Sequence, residues 1–289
     1  MGSNYSTETR FSIDKDKRGY HYVAKFEEDR IAAGTFRVAY RGMIVSSSPP
    51  GGSEVGHQCV FKVFKEEHAR NYDQWVPDLV AHKRAVKMAK IFNRLSISVT
   101  PRHAIKLLSP LIAKVDTLGG FYLFWLWNVS SVSNVHKNEY VSLEPYLDGR
   151  WNKFNSNAGW SDDDKLLYLL QTFSHWSACK SGYRYMICDL QGVKRDDAYM
   201  ITDPGIQSLD QIHGPADLGL VGMEKIFQGH KCNFMCRELG LWKNLVPYSP
   251  STKIGSTYCF QLTGKEQKVN REKKGRYLNP MECIPEIEF

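Results

Sequence analysis

The sequence predicts an α+β protein of two lobes, with a β-rich amino-terminal lobe and a mixed α/β carboxy-terminal lobe. Three observations point that way. Stretches rich in aromatic and β-branched residues crowd the first half, at 20–26, 36–45, 59–64, 121–129 and 140–144. Loop chemistry separates them, most plainly Ser-Ser-Ser-Pro-Pro-Gly-Gly-Ser at 46–53. Beyond Gly149 the pattern turns helical, and the boundary between lobes falls near 145–150.

Taken in order, the first 19 residues are polar and read as a flexible segment. After the first three strands, 77–94 holds few breakers and spaces Val80, Arg84 or Ala85, Met88 and Phe92 as a helix would. It carries Asp78 but no glutamate. Ser161, with Asp164 three residues on, has the spacing of a capping box, and Leu166 to Trp176 supplies a broad apolar face running to about Lys180. A strand at 183–188 and a short helix at 221–228 follow.

Composition excludes several classes. With 289 residues, 42% hydrophobic and 24% charged, the chain can build a substantial core and does not read as disordered. The longest apolar run, 121–127, is too short for a membrane helix, which needs about twenty residues. The start of the chain has no apolar signal core, so a cytoplasmic, reducing setting is expected, and seven cysteines cannot all pair. The net charge is +7, of which +4 sits in residues 265–276, so no general nucleic-acid-binding surface is required.

Three constellations carry chemistry. His230-Lys231-Cys232-Asn233-Phe234-Met235-Cys236 offers three metal ligands within seven residues, and Cys232 and Cys236 would share a face if that turn is helical. His175, in an apolar stretch, is a candidate fourth ligand; the bland alternative is two buried cysteines and a helix-end histidine. In the second, Asp189, Gln191 and Asp203 could converge to hold Mg²⁺ and orient a hydroxyl, although Asp-x-Gln and Asp-Pro are common in turns. In the third, Gly34-Thr35-Phe36-Arg37 opens a strand and Lys62 interrupts an apolar one, as a snorkelling edge lysine or as a phosphate contact. Gly214-Pro215-Ala216-Asp217-Leu218-Gly219 is a glycine-spaced loop entering a helix. The Walker pattern, His-Arg-Asp and Asp-Phe-Gly are absent, which argues against an ordinary eukaryotic protein kinase.

In sequence order these segments resemble the alpha-kinase family of atypical protein kinases over residues 20–242. Gly-Thr-Phe-Arg at 34, Phe-Lys-Val-Phe at 61, Leu-Glu-Pro-Tyr-Leu at 143, Phe-Asn-Ser-Asn at 154 and Phe-Ser-His at 173 carry the first part of the likeness. Asp-Leu-Gln-Gly-Val at 189, Thr-Asp-Pro at 202, Gly-Pro-Ala-Asp-Leu-Gly at 214 and His-Lys-Cys-x3-Cys at 230 complete it. The resemblance implies an atypical protein-kinase-like fold, with an N-lobe at about 20–145, a C-lobe at about 146–242 and an extension at 243–289. It implies an ATP- and Mg²⁺-dependent serine/threonine kinase acting on protein substrates, with autophosphorylation. Lys62 and Arg37 then look like phosphate contacts beside the Gly34 loop, and Glu144 and Leu147 like the adenine hinge. Asp189 would take the hydroxyl proton, Gln191 and Asp203 would coordinate Mg²⁺, and His175, His230, Cys232 and Cys236 would hold a structural zinc. Two competitors remain from the residues themselves: a pseudokinase or nucleotide-binding interaction module of this fold, and a zinc-stabilised nucleic-acid-binding protein.

Overall fold

The computed structural model describes residues 8–13, 18–68, 70–96, 103–117, 120–123, 127–130, 135–162 and 168–241. The chain divides into two compact units, Met1–Val76 with Leu108–Leu147, and Pro77–Leu107 with Asp148–Phe289.

The first unit is built on a closed six-stranded barrel. Its strands are β1 (Glu8–Ile13), β2 (His21–Ala33), β3 (Arg37–Ser48), β4 (Gln58–Phe64), β6 (Leu111–Thr117) and β9 (Tyr140–Pro145), hydrogen-bonded in the order β1-β2-β3-β4-β9-β6. β1 also pairs with β6, which closes the ring and leaves no open edge. Period-two alternation builds the core. Val38, Tyr40 and Ile44 of β3 point inward with Cys59, Phe61 and Val63 of β4 and Val141 and Leu143 of β9. Their neighbours Arg37, Ala39 and Arg41, and Val60, Lys62 and Phe64, therefore line the outer face.

Two expectations change here. The segment 1–19 was read as flexible, yet Glu8–Ile13 is the strand that closes the barrel; residues 1–7 and 14–17 lie outside the described residues. Its polar composition hid a short alternating pattern, Phe11 and Ile13. The single strand expected at 121–129 is an antiparallel pair, β7 (Gly120–Leu123) and β8 (Trp127–Ser130).

In the second unit, helix α1 (Val76–Ser96) and helix α2 (Tyr168–Lys180) share one core. Ala81, Ala85, Met88, Ala89 and Phe92 form the buried face of α1, and Phe92 lies 5.2 Å from both the Phe173 and the Trp176 rings. A four-stranded sheet runs β10 (Trp151–Lys153), β12 (Gln191–Lys194), β13 (Ala198–Thr202), β5 (Ala104–Leu107), and β5 joins β13 in parallel. Residues 77–107 thus belong with the second unit, so the division is not one cut near 145. The cause is visible in the sequence of α1, whose apolar face is matched by aromatic partners on α2. Strands β11 (Tyr185–Cys188) and β14 (Gly205–Ser208) pair antiparallel, and helices α3 (Gly219–Gly229) and α4 (Phe234–Glu238) complete the unit. Ser161 forms an isolated bridge with Asn155, while Asp164 and the start of the expected helix lie outside the described residues. The extension at 243–289 also lies outside them.

Candidate active site

On the outer face of the barrel, Lys62 is buried, and its ammonium donates to Glu144 Oε2 at 2.7 Å. The register explains this contact: Val60 pairs with Glu144 and Lys62 with Ser142, so both side chains emerge on one face of adjacent strands. Ser142 Oγ donates to Glu144 Oε1 at 3.2 Å, which fixes the carboxylate further. β4 lies between β3 and β9, so the snorkelling edge reading of Lys62 fails. The acidic partner that helix 77–94 could not provide comes from β9 instead. Glu144 was expected at the adenine hinge largely for its backbone, and its side chain has this second task.

Arg37 stands on the same face. It pairs with Phe64 and Lys62 pairs with Ala39, so the two cations are diagonal neighbours. The Arg37 guanidinium sits 5.6 Å from the Phe64 ring and 5.5 Å from the Trp75 ring, contacts that orient it without neutralising it. Just ahead, Gly34 N–H donates to Arg37 O at 2.8 Å and closes a tight turn at the exposed tip of the β2–β3 hairpin. Leu147 is buried at the end of the segment after β9.

In the second unit the acids are placed by two neighbouring strand pairs. β12 and β13 form a hairpin with Gln191 opposite Thr202, and β11 and β14 pair with Cys188 opposite Gly205. The two pairs are separate sheets that keep one register, and Asp189 and Asp203 lie on the two strand connections at the kink between them. Each takes a left-handed conformation, φ 54° at Asp189 and 45° at Asp203, uncommon outside glycine. Gly205 is needed here, because a Cβ on it would lie 3.0 Å from the Asp189 Cβ. Gly192 is required more strictly: its φ is 148°, and a Cβ there would meet Met200 O at 2.0 Å.

Two side chains hold the kink and two more hold the glycine-spaced loop. Lys153 Nζ contacts Asp189 Oδ1 at 2.8 Å, both side chains being largely shielded from solvent. Asn155 Oδ1 accepts from Leu190 N–H at 2.8 Å, between Asp189 and Gln191. Gln207 binds the glycine-spaced loop, donating to Ala216 O at 3.0 Å and accepting from Leu218 N–H. Asp217 anchors the same loop from inside, accepting from Ser208 N–H at 2.7 Å and Ser208 Oγ at 2.6 Å. None of these four had an assigned role in the sequence; a lysine two residues after an exposed tryptophan carries no local signal of its target. Burial lowers the pKa of His82 on α1, and the negative charge of Asp203 opposes that shift. Burial, reinforced by the charge of Asp189, raises the Cys188 thiol well above its ordinary value.

The first constellation, the histidines and cysteines, comes together in one cluster. The ligand atoms of His175, His230, Cys232 and Cys236 all lie within 4.8 Å of one another. His175 Nδ1 is 3.2 Å from His230 Nε2 and 3.8 Å from Cys232 Sγ, and Cys236 Sγ is 3.4 Å from His230 Nε2. Ligands bonded tetrahedrally to zinc at about 2.0–2.3 Å are separated by roughly 3.3–3.8 Å, so this donor set fits that ion. Cys232 and Cys236 do not share a helix face. Asn233 caps α4, accepting from Met235 and Cys236 N–H at 2.9 and 3.3 Å, so Cys232 precedes the helix in extended chain.

Comparison with known proteins agrees with this geometry. A model described as the alpha-kinase family matches residues 32–236. The chain is 40% identical over 220 residues to alpha-protein kinase vwkA of Dictyostelium discoideum, covering 75% of this chain and 31% of that protein. It spans under a third of the length of the first curated relatives it matches. Among solved structures, an alpha kinase from Entamoeba histolytica superposes with a TM-score of 0.64 at 20% identity, covering 90% of this chain and 99% of that one. The alpha-kinase domain of myosin heavy chain kinase A, in complex with ADP, gives a TM-score of 0.63 at 22% identity, with 85% and 100% coverage. At those identities the structural likeness speaks for the fold, and the family match and the vwkA identity speak for the lineage. The chain belongs to the alpha-kinase family, a family of protein kinases.

Proposed function

We propose that this chain is an ATP- and Mg²⁺-dependent protein serine/threonine kinase that also phosphorylates itself, with 20–242 as its catalytic domain. The observation that carries the reading is the kink between two strand pairs of one register, where both Asp189 and Asp203 take left-handed conformations and Gln191 stands two residues from the first. In this reading Asp189 accepts the proton of a Ser or Thr hydroxyl as its oxygen bonds to the γ-phosphorus and the bond to ADP breaks. Lys153, 2.8 Å from Asp189 Oδ1, aims the carboxylate. Gln191 and Asp203 would hold Mg²⁺, which neutralises phosphate charge. Lys62 and Arg37, preset by Glu144 and by the aromatic rings, would bind the triphosphate near Gly34, with adenine at Glu144 to Leu147. His175, His230, Cys232 and Cys236 would form a closed structural zinc centre, stabilising the second unit without taking part in catalysis.

The test is incubation with ATP, Mg²⁺ and a generic basic protein, followed by phosphosite mapping, with Asp189→Ala as the control. Phosphoserine and phosphothreonine on substrate and on the chain, lost in Asp189→Ala, are expected. Nucleotide binding without transfer would instead favour the interaction module.

A further inference from the structure

Helix α1 turns a different kind of surface to solvent. Its buried face is apolar, whereas Lys83, Lys87, Lys90 and Arg94 are all exposed and follow one another at spacings of four, three and four residues. At 100° per residue these positions stay within a strip about 60° wide and about 16 Å long. No ion pair or hydrogen bond is made by any of the four among the described residues. Like charges at this spacing weaken a helix, and α1 carries only Asp78 to offset them. Leu95, 43% exposed, stands beside Arg94 at the end of the row.

We propose that this row is a docking ridge for an acidic amphipathic helix of a partner protein. The shape selects the occupant. A membrane surface favours a broad cationic face with inserted aromatic or aliphatic side chains, but this row is one side chain wide, with Leu95 its one strongly exposed apolar neighbour. Single-stranded nucleic acid would call for aromatic side chains on which bases stack, and the exposed positions of α1 between Lys83 and Leu95 carry none. Glutamates recurring every three or four residues on a facing helix match the row in spacing and sign, as flanking charges do between paired helices. The inner side of α1 carries His82, which feels the charge of Asp203, so the ridge lies on an element that also borders the proposed metal site. The inference goes beyond the kinase reading and is read by binding alone, so either can fail without the other.

The full chain is titrated into a labelled helical peptide bearing glutamate at every third or fourth position and one leucine near its end. Combined Lys83→Gln, Lys87→Gln, Lys90→Gln and Arg94→Gln should weaken binding about tenfold or more at low salt, four exposed pairs being lost. Circular dichroism should be unchanged, because these side chains are exposed. Lys87→Glu with Lys90→Glu should reverse the preference, binding a peptide with lysine in place of glutamate. Undiminished binding by the fourfold variant would overturn the proposal. So would ridge-dependent binding to phosphatidylserine vesicles or duplex DNA in place of the peptide.

Discussion

Replacing Glu144 by glutamine keeps the shape of the side chain and removes only its charge. The Lys62 and Glu144 side chains are 10% and 4% exposed, and their charged atoms lie 2.7 Å apart. A buried ammonium that loses its counter-charge must shed its proton or draw in water, and breaking such a pair costs about 3 kcal/mol. That corresponds to about a hundredfold in the folding equilibrium of the barrel unit. Urea unfolding, followed by fluorescence, should therefore show a lower midpoint at an unchanged slope. Lys62→Met combined with Glu144→Leu should regain much of the loss, since an apolar pair needs no desolvation of charge, yet it should remain without kinase activity. The cycle of single and double variants gives the coupling directly. A Glu144→Gln chain within about 0.5 kcal/mol of the parent would refute the claim that this ion pair presets the lysine. The same reasoning revises the simplest activity test: Lys62→Ala strips Glu144 of its cation and should destabilise the barrel as well as remove a phosphate contact.

Cys236→Ala should lose bound metal and melt at lower temperature, and a zinc-free variant with unchanged melting would contradict the structural role. Chelation of the parent should open exposed Cys232 to alkylation, while Cys59, whose thiol burial pushes up to about 12, stays unreactive until unfolding. Lys153→Ala should lower kcat about tenfold or more with little change in the KM for ATP, because it acts on Asp189. Equal kcat in the variant would remove Lys153 from the mechanism. Burial holds His82 below its ordinary 6.5, so below that pH the unfolded chain takes up a proton that the folded chain resists. Stability should fall as pH drops from about 6.5, and His82→Gln should flatten the fall; an identical slope would show that His82 does not contribute.

What could be read from residue order was whatever lies close along the chain. The strands near Lys62, helix α1 and the His-x-Cys-x3-Cys segment all announce themselves by period or spacing. His175 was found from afar because a histidine among apolar helix residues needs a partner. Lys62's own partner was illegible for the opposite reason: Glu144 stands 82 positions away, and only the β4–β9 register brings them to one face. Lys153 is hidden the same way, since its pairing with Gln191 depends on a three-residue strand too short to show a period. The interleaved division of the two units was equally hidden, because α1 shows that it has an apolar face but not which helix covers it.

The spacing of the two aspartates illustrates how chemistry can be written as hairpin length. Partners Gln191 and Thr202 on one side of the kink, and Cys188 and Gly205 on the other, keep a single register. That register sets Asp189 opposite Pro204 and Asp203 opposite Leu190 whatever the turn between them contains. That turn, Arg195 to Ala198, is closed by Arg195 N–H donating to Ala198 O at 2.8 Å, and Asp196 and Asp197 at its tip are exposed. Residues added at the tip lengthen the gap in sequence and leave this register unchanged. One residue added within β12 or β13 shifts the register and turns every following side chain to the other face. The fourteen-position step from one acid to the other therefore carries no chemistry of its own; the paired strands do, and a motif defined by a fixed gap would miss relatives whose hairpins differ only at the tip.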